Sequence, residues 1–140
     1  MIDKNKGHIK LTDTLELTPN SNFDLIESLE LGEVQEIRDM GTGYKWLDIK
    51  NIQIDDKYFI ISLCFKETEL SELSMVINDN PFDLNSGWEI WSEKEEKEKL
   101  NKYQDWLSQE LDKERIFNWG EAWVSYDPKG CYSSIGIKYK

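Results

Sequence analysis

Short alternating apolar segments, one long stretch of helical periodicity and tight turns predict an α+β fold. The expected form is an antiparallel β-meander of about five to seven strands, packed by one long helix in the C-terminal half and a short N-terminal helix, and ending in a β-hairpin. Three observations carry this. Residues 93–114 place Leu100, Tyr103, Trp106, Leu107 and Leu111 along one side of a helix. Residues 119–126 and 131–139 alternate around Asp127-Pro128-Lys129-Gly130, which suits a type I turn with Asp first, Pro second and Gly fourth. Residues 58–65 are apolar on both faces, as in a strand inside a sheet.

The elements follow in order. Residues 8–17 alternate, with Ile9, Leu11, Leu15 and Leu17 on one face and Asp13 interrupting, and read as one strand. Thr18-Pro19-Asn20 breaks it. Ser21 with Asp24 resembles a capping box opening a short helix through Phe23, Leu25, Ile26 and Leu29, which Gly32 ends. Residues 33–38 are a weak strand, and Met40-Gly41-Thr42-Gly43 is a turn. Residues 44–54 form a strand whose apolar phase slips between Ile49 and Ile52, which a bulge near Lys50-Asn51 explains. Asp55-Asp56-Lys57 turns the chain into residues 58–65; after a further turn Leu73, Met75 and Ile77 alternate in the next strand. Residues 78–87 are a polar loop, and residues 88–91 form a short strand or a lead into the long helix.

The long helix opens with a capping box, Ser92 and Glu95 bonding each other's amides. Glu93–Lys97, Glu95–Lys99 and Glu98–Lys102 are pairs in the favourable order, each stabilising by roughly 0.2–0.5 kcal/mol. Its apolar stripe begins only at Leu100, so the first two turns are solvated and the later ones docked. In the closing hairpin, pairing outward from the turn sets Tyr126 opposite Cys131, Val124 opposite Ser133 and Ala122 opposite Ile135. That face is assigned to the core; Trp119, Glu121, Trp123, Tyr132 and Lys138 lie on the other.

The 140 residues suit a single domain spanning 1–140, and 39% apolar with 12% aromatic content argues against disorder. A net charge of −11 disfavours nucleic acid and anionic membrane surfaces, and favours a basic protein partner. No apolar run is long enough for a transmembrane helix, and the N-terminal residues carry no apolar segment after their charges, so a cytoplasmic location is expected. Cys64 and Cys131 are too far apart in sequence for a zinc or redox motif and read as reduced thiols, Cys64 buried.

Chemistry-bearing motifs are scarce. There is no glycine-rich nucleotide cradle, no metal-binding His or Cys cluster, and one histidine, His8, which any catalytic triad would have to use; it reads as an exposed strand-end residue. No catalytic residue, metal site or cofactor is assigned. Asn78, Asp79, Asn80, Asp83 and Asn85 have the oxygen density of a calcium loop but not the EF-hand order, and Asn, Asp and Pro in a loop are commonly turn formers. The six Trp residues are core fillers for the most part, with Trp88 and Trp91 the better candidates for exposure.

The informative feature is where the charge lies. Residues 11–39 hold eight acids and one base, and residues 67–89 hold six acids and no base, while the remaining segments nearly balance. This points to a non-enzymatic acidic protein-binding module, an inhibitor or immunity-type protein for a basic partner; small acidic α+β proteins are common among immunity proteins, an analogy of composition. The acidic candidates are Glu27, Glu30, Glu33, Glu36, Glu69, Glu72 and Asp83, with Trp88 and Trp91 beside them. Ordinary solvated acids are the plain alternative. A small enzyme or carbohydrate-binding domain on a Trp-rich surface is the competing function, and homo-oligomerisation a third.

Overall fold

The computed structural model describes residues 1–82, 93–127 and 132–140. In chain order it contains β1 (Ile9–Lys10), β2 (Glu16–Leu17), α1 (Phe23–Ser28), β3 (Val34–Asp39), β4 (Tyr44–Ile54), β5 (Lys57–Lys66), β6 (Glu69–Asn78), α2 (Glu93–Leu111), β7 (Ile116–Phe117), β8 (Gly120–Asp127) and β9 (Tyr132–Tyr139). The expected α+β class holds. β3 to β9 make one antiparallel sheet in the order β3-β4-β5-β6-β9-β8-β7, and β1 and β2 form a separate two-stranded ribbon. β3 to β6 are a meander with short turns. The chain then crosses through α2 to the far edge and returns through β7, β8 and β9 until β9 pairs with β6.

Both helices lie on one face of the sheet. Phe23 of α1 meets Phe65 edge-on at 5.3 Å, and Trp106 of α2 meets Phe59 edge-on at 6.3 Å; Phe59 and Phe65 alternate onto the same side of β5. Tyr103, Leu107 and Leu111 are buried with Ile9, Leu17 and Ile26 in one core over Leu47, Ile61, Leu63, Ile135 and Ile137. Lys97 and Glu98 are exposed, whereas Tyr103, Leu107 and Leu111 further along are docked. The opposite sheet face carries Trp46, Asp48, Ser62, Cys64, Glu72, Ser74, Gly136 and Trp123.

The phase slip in β4 is a real bulge. The register shifts between Lys50 and Ile52, and Asn51 takes φ +57°, a left-handed conformation that Asn tolerates. Bulging turns the Asn51 amide outward, where it bonds the backbone N–H and C=O of Phe82 and the Glu33 carboxylate.

Four local expectations are corrected. Residues 8–17 are two strands, because Thr12 to Leu15 fold into a turn held by the Thr12 hydroxyl, and Asp13 sits at its tip. The N-cap of α1 is Asn22, whose Oδ1 accepts from the amides of Asp24 and Leu25; the Ser21 hydroxyl accepts instead from Thr18 N–H. α2 stops at Leu111, three residues early. Asp112 takes φ +60°, and Arg115 folds back to donate to the Asp112 carbonyl and to Ser108. In the closing hairpin Tyr126 pairs with Ser133, Val124 with Ile135 and Ala122 with Ile137. The expected register is off by two residues, and an even slip leaves every side chain on its predicted face: Ala122, Ser133, Ile135 and Ile137 are buried and Glu121 and Lys138 exposed. Ser92, Cys131 and the tip of this hairpin lie outside the described residues.

Candidate functional site

The acidic candidates are placed by the way α1 meets the β3–β4 hairpin. A helix of six residues can bury little, and only Phe23 and Ile26, three apart, are covered. Leu25 and Leu29, the other two apolar residues of the expected helix, point outward at 60% and 45% exposure. The link from α1 to β3 is tight: Glu30 adopts φ +48° and Gly32 φ +73°. A side chain at Gly32 would stand 2.7 Å from the Lys50 carbonyl, so the link lies directly against β4. Glu33 N–H then bonds the Lys50 carbonyl at 2.8 Å, and the Gln35 side-chain amide donates to the Glu27 carbonyl at 3.1 Å. This second bond ties the end of α1 to β3.

The outcome is a shallow depression of about 420 Å³ rimmed by Glu27, Glu30 and Glu33, with Leu31, Ile37 and Leu47 beneath. Gln35 Oε1 is buried there and accepts no hydrogen bond from the described residues. Three carboxylates with no basic side chain in the lining make a negative rim over a mixed floor of Gln35 with Leu31, Ile37 and Leu47. Such a place favours a cationic group carried on an apolar stem.

The other candidates are elsewhere. Glu36 lies on the opposite sheet face, beside Asp48, and pairs with Lys50 at 3.2 Å. Alternation along β3 separates it from Gln35 and Ile37, which face the depression. Glu72 is on that same opposite face, between Cys64 and Lys138 in the register. Glu69 is exposed at the head of β6, bridged to Asn22. Asp83, Trp88 and Trp91 lie outside the described residues. The structure therefore gathers Glu27, Glu30 and Glu33 and leaves Glu36, Glu69 and Glu72 apart from them.

Apolar residues that sequence reasoning did not single out as a site are exposed at this end of the sheet, though of them only Ile37 lines the depression. Among the described residues, eight large apolar side chains are exposed, and six of them (Leu25, Leu29, Val34, Ile37, Met40, Tyr44) belong to α1, β3 and the turn into β4. The low apolar content of residues 33–38 was a signal of an edge strand. On the opposite face Arg38 donates to both oxygens of Asp48, at 2.7 and 2.8 Å, and its guanidinium lies 5.2 Å from the Trp46 ring centroid. That clamp explains how Asp48 is only 8% exposed with no helix above it.

Other features have plain structural uses. His8 Nδ1 is 3.2 Å from Glu16 across the β1–β2 ribbon. Asp79, of the loop with calcium-like composition, is ion-paired with Lys57, which holds its carboxyl below the usual range. Among the described residues no group of three or more His, Cys, Asp or Glu side chains is placed to hold a metal. Cys64 is a buried free thiol, pushed up by burial and then by the charge of Glu72. Trp106, Trp119 and Trp46 are half-buried against Phe59, Phe117 and Arg38. No described helix is long and apolar enough to cross a membrane.

No family model matches the chain, and a search of curated proteins finds no match. Among solved structures, a chain from one described as "Rhs1-CT in complex with cognate immunity protein RhsI1" aligns with a TM-score of 0.55 at 11% sequence identity, covering 99% of this chain and 86% of that chain. At that identity the likeness is one of fold.

Proposed function

We propose that this chain is a non-enzymatic protein-binding module of the inhibitor or immunity type, which captures a basic protein at the α1–β3 end of the sheet. The observation that carries this reading is the depression in which Glu27, Glu30 and Glu33 ring Leu31, Ile37 and Leu47. An overall charge of −11 would draw a basic partner from a distance, and the local rim would orient it. The likeness in fold to a chain from a toxin–immunity complex supports the same reading.

The test is co-expression. The product of the neighbouring reading frame is produced alone and together with this chain. Growth arrest by that product alone, relieved by co-expression and accompanied by a co-purifying complex, is the expected result. Glu27→Lys, Glu30→Lys and Glu33→Lys combined should slow association and remove its salt dependence. A complex that forms equally fast with the triple variant, at low and high salt, would overturn the acidic-site assignment.

A further inference from the structure

β3 is the end strand of the sheet, and among the described residues no strand pairs with its outer side. Its free backbone groups follow from the ladder. Met40 N–H bonds the Tyr44 carbonyl at 3.1 Å, which makes Met40 and Tyr44 a hydrogen-bonded pair. In an antiparallel ladder such pairs alternate, so Arg38–Trp46, Glu36–Asp48 and Val34–Lys50 are bonded pairs as well. The amides and carbonyls of Gln35, Ile37 and Asp39 therefore point away from the sheet, a ready template for another strand.

Little in β3 blunts that template beyond the charges of Glu36, Arg38 and Asp39. It contains no proline and no lysine, and the bulge is in β4, not in β3. Its one base, Arg38, is turned onto Asp48 and Trp46. Apolar side chains flank it on both faces: Val34 at 39% exposure on one and Ile37 at 50% on the other. The opposite edge is treated differently. β7 has two residues, and the neighbouring Trp119 donates to the Lys4 carbonyl at 2.9 Å, so the N-terminal segment lies over that end.

We propose that β3 is a docking strand, to which a partner protein adds an extended segment of alternating basic and apolar residues. This rests on the binding reading above and names its mode. Charge selects the occupant. Glu33 precedes β3 and Asp39 ends it, with Glu27 and Glu30 beside it; Glu36 is turned to the other face and paired with Lys50. A second copy of β3 would set these acids against one another, and like charges opposite each other in a ladder are destabilising. A segment bearing Lys or Arg at alternate positions turns them all to the α1 face, toward Glu27, Glu30 and Asp39, while its backbone meets Gln35, Ile37 and Asp39.

The probe is an end-blocked peptide of about eight residues alternating Lys and Val; the control replaces each Val by Pro, keeping the charge and removing the amides. Amide exchange is followed residue by residue on the whole chain. The expected result is roughly tenfold slower exchange at Gln35, Ile37 and Asp39 with the Lys-Val peptide, and no change at Glu36 or Arg38. Ile37→Pro removes an outward amide, and Ile37→Lys repels the peptide without touching the backbone; each should weaken binding roughly tenfold, and the second serves if the first fails to fold. Absent protection, equal protection by the proline peptide, or a dimer of this chain formed through β3 would overturn the proposal. A co-purifying partner sensitive to Glu27→Lys and Glu30→Lys but indifferent to both Ile37 variants would overturn strand addition and leave the acidic-binding reading intact. Peptide protection without rescue of growth would do the reverse.

Discussion

The two ends of the sheet solve the same problem in opposite ways. At the β7 end the N-terminal segment is sewn down: Tyr139 donates to the Gly7 carbonyl at 2.7 Å, Trp119 to the Lys4 carbonyl, and Lys4 reaches Asp112 at the end of α2. The Trp119 ring lies so close to Gly7 that a side chain there would stand 2.4 Å away, and Gly7 holds φ +71°. At the β3 end a six-residue helix covers little, apolar side chains stay in water and acids crowd the rim. The contrast is one of fastening, since Ile116 of β7 also stays 78% exposed: one edge has the N-terminal segment bonded over it, and the other has no such covering among the described residues. The predictions test that contrast, from the largest effect down.

The widest gap should separate Leu107 from Leu25. Leu107 is fully buried on the docked side of α2, and Leu25 is 60% exposed on α1. Leu107→Ala should cost about 2–5 kcal/mol and Leu25→Ala about 0.5 or less, read from urea titrations. Similar losses would mean that the α1 end is packed as firmly as the α2 end, and the contrast would fail.

Tyr139 tests the closed end alone. Tyr139→Phe leaves the Gly7 carbonyl buried without its donor, at a cost of about 1–3 kcal/mol. Burial also raises the Tyr139 pKa well above its ordinary 10.0. In the unfolded chain the phenol ionises first, so its contribution is whole below pH 10 and declines as the pH rises further. The wild type should therefore lose stability above pH 10 more steeply than Tyr139→Phe. Parallel pH profiles would show that this phenol is not buried as described.

Gly136 tests the middle of the sheet. A side chain there would stand 2.3 Å from the Trp123 ring, which lies over it on the face away from the helices. Gly136→Ala should cost about 1–3 kcal/mol, and most of that should be recovered when Trp123 is also changed to Ala. Additive losses would mean that the ring is not what the glycine accommodates.

The sequence made some of this legible and concealed the rest for identifiable reasons. The bulge at Asn51 was visible because the apolar phase of the strand slips between Ile49 and Ile52. The hairpin faces were visible and its register was not, since Asp127-Pro128-Lys129-Gly130 suggests a tighter turn than the ladder, which begins at Asp127–Tyr132, allows. Residues 8–17 looked like one strand because the apolar alternation continues through a turn made by side-chain hydroxyls. At the candidate site, threefold spacing brought Glu27 and Glu30 together, and Gly32 then carried Glu33 to the same rim. The spacing continued to Glu36, but strand alternation sent that residue to the other face. Tertiary bonds of a few atoms were invisible. The Tyr103 hydroxyl, 3.1 Å from both the N–H and the C=O of Ile77, is an example; no local pattern announces a partner 26 residues away.

The smallest effect is the most telling for the open end. Glu30 occupies φ +48°, a conformation that costs a residue other than Gly, Asn or Asp about 1–2 kcal/mol. Glycine would remove that cost while adding freedom to the unfolded chain, which takes back about 0.4–1 kcal/mol. Glu30→Gly should therefore stabilise the fold slightly, by about 0.8 kcal/mol, as the difference of the midpoints of those two ranges. The same variant removes a carboxylate from the rim and should weaken capture of a basic partner. A substitution that helps the fold and harms binding is what a residue retained for recognition predicts. Thermal unfolding and partner association, measured on Glu30→Gly and Glu30→Gln, separate the two effects, because Gln keeps the backbone cost and loses only the charge. If Glu30→Gly destabilises the protein and binding is untouched, the Glu30 carboxylate serves the fold, and the open end loses its claim to be the binding edge.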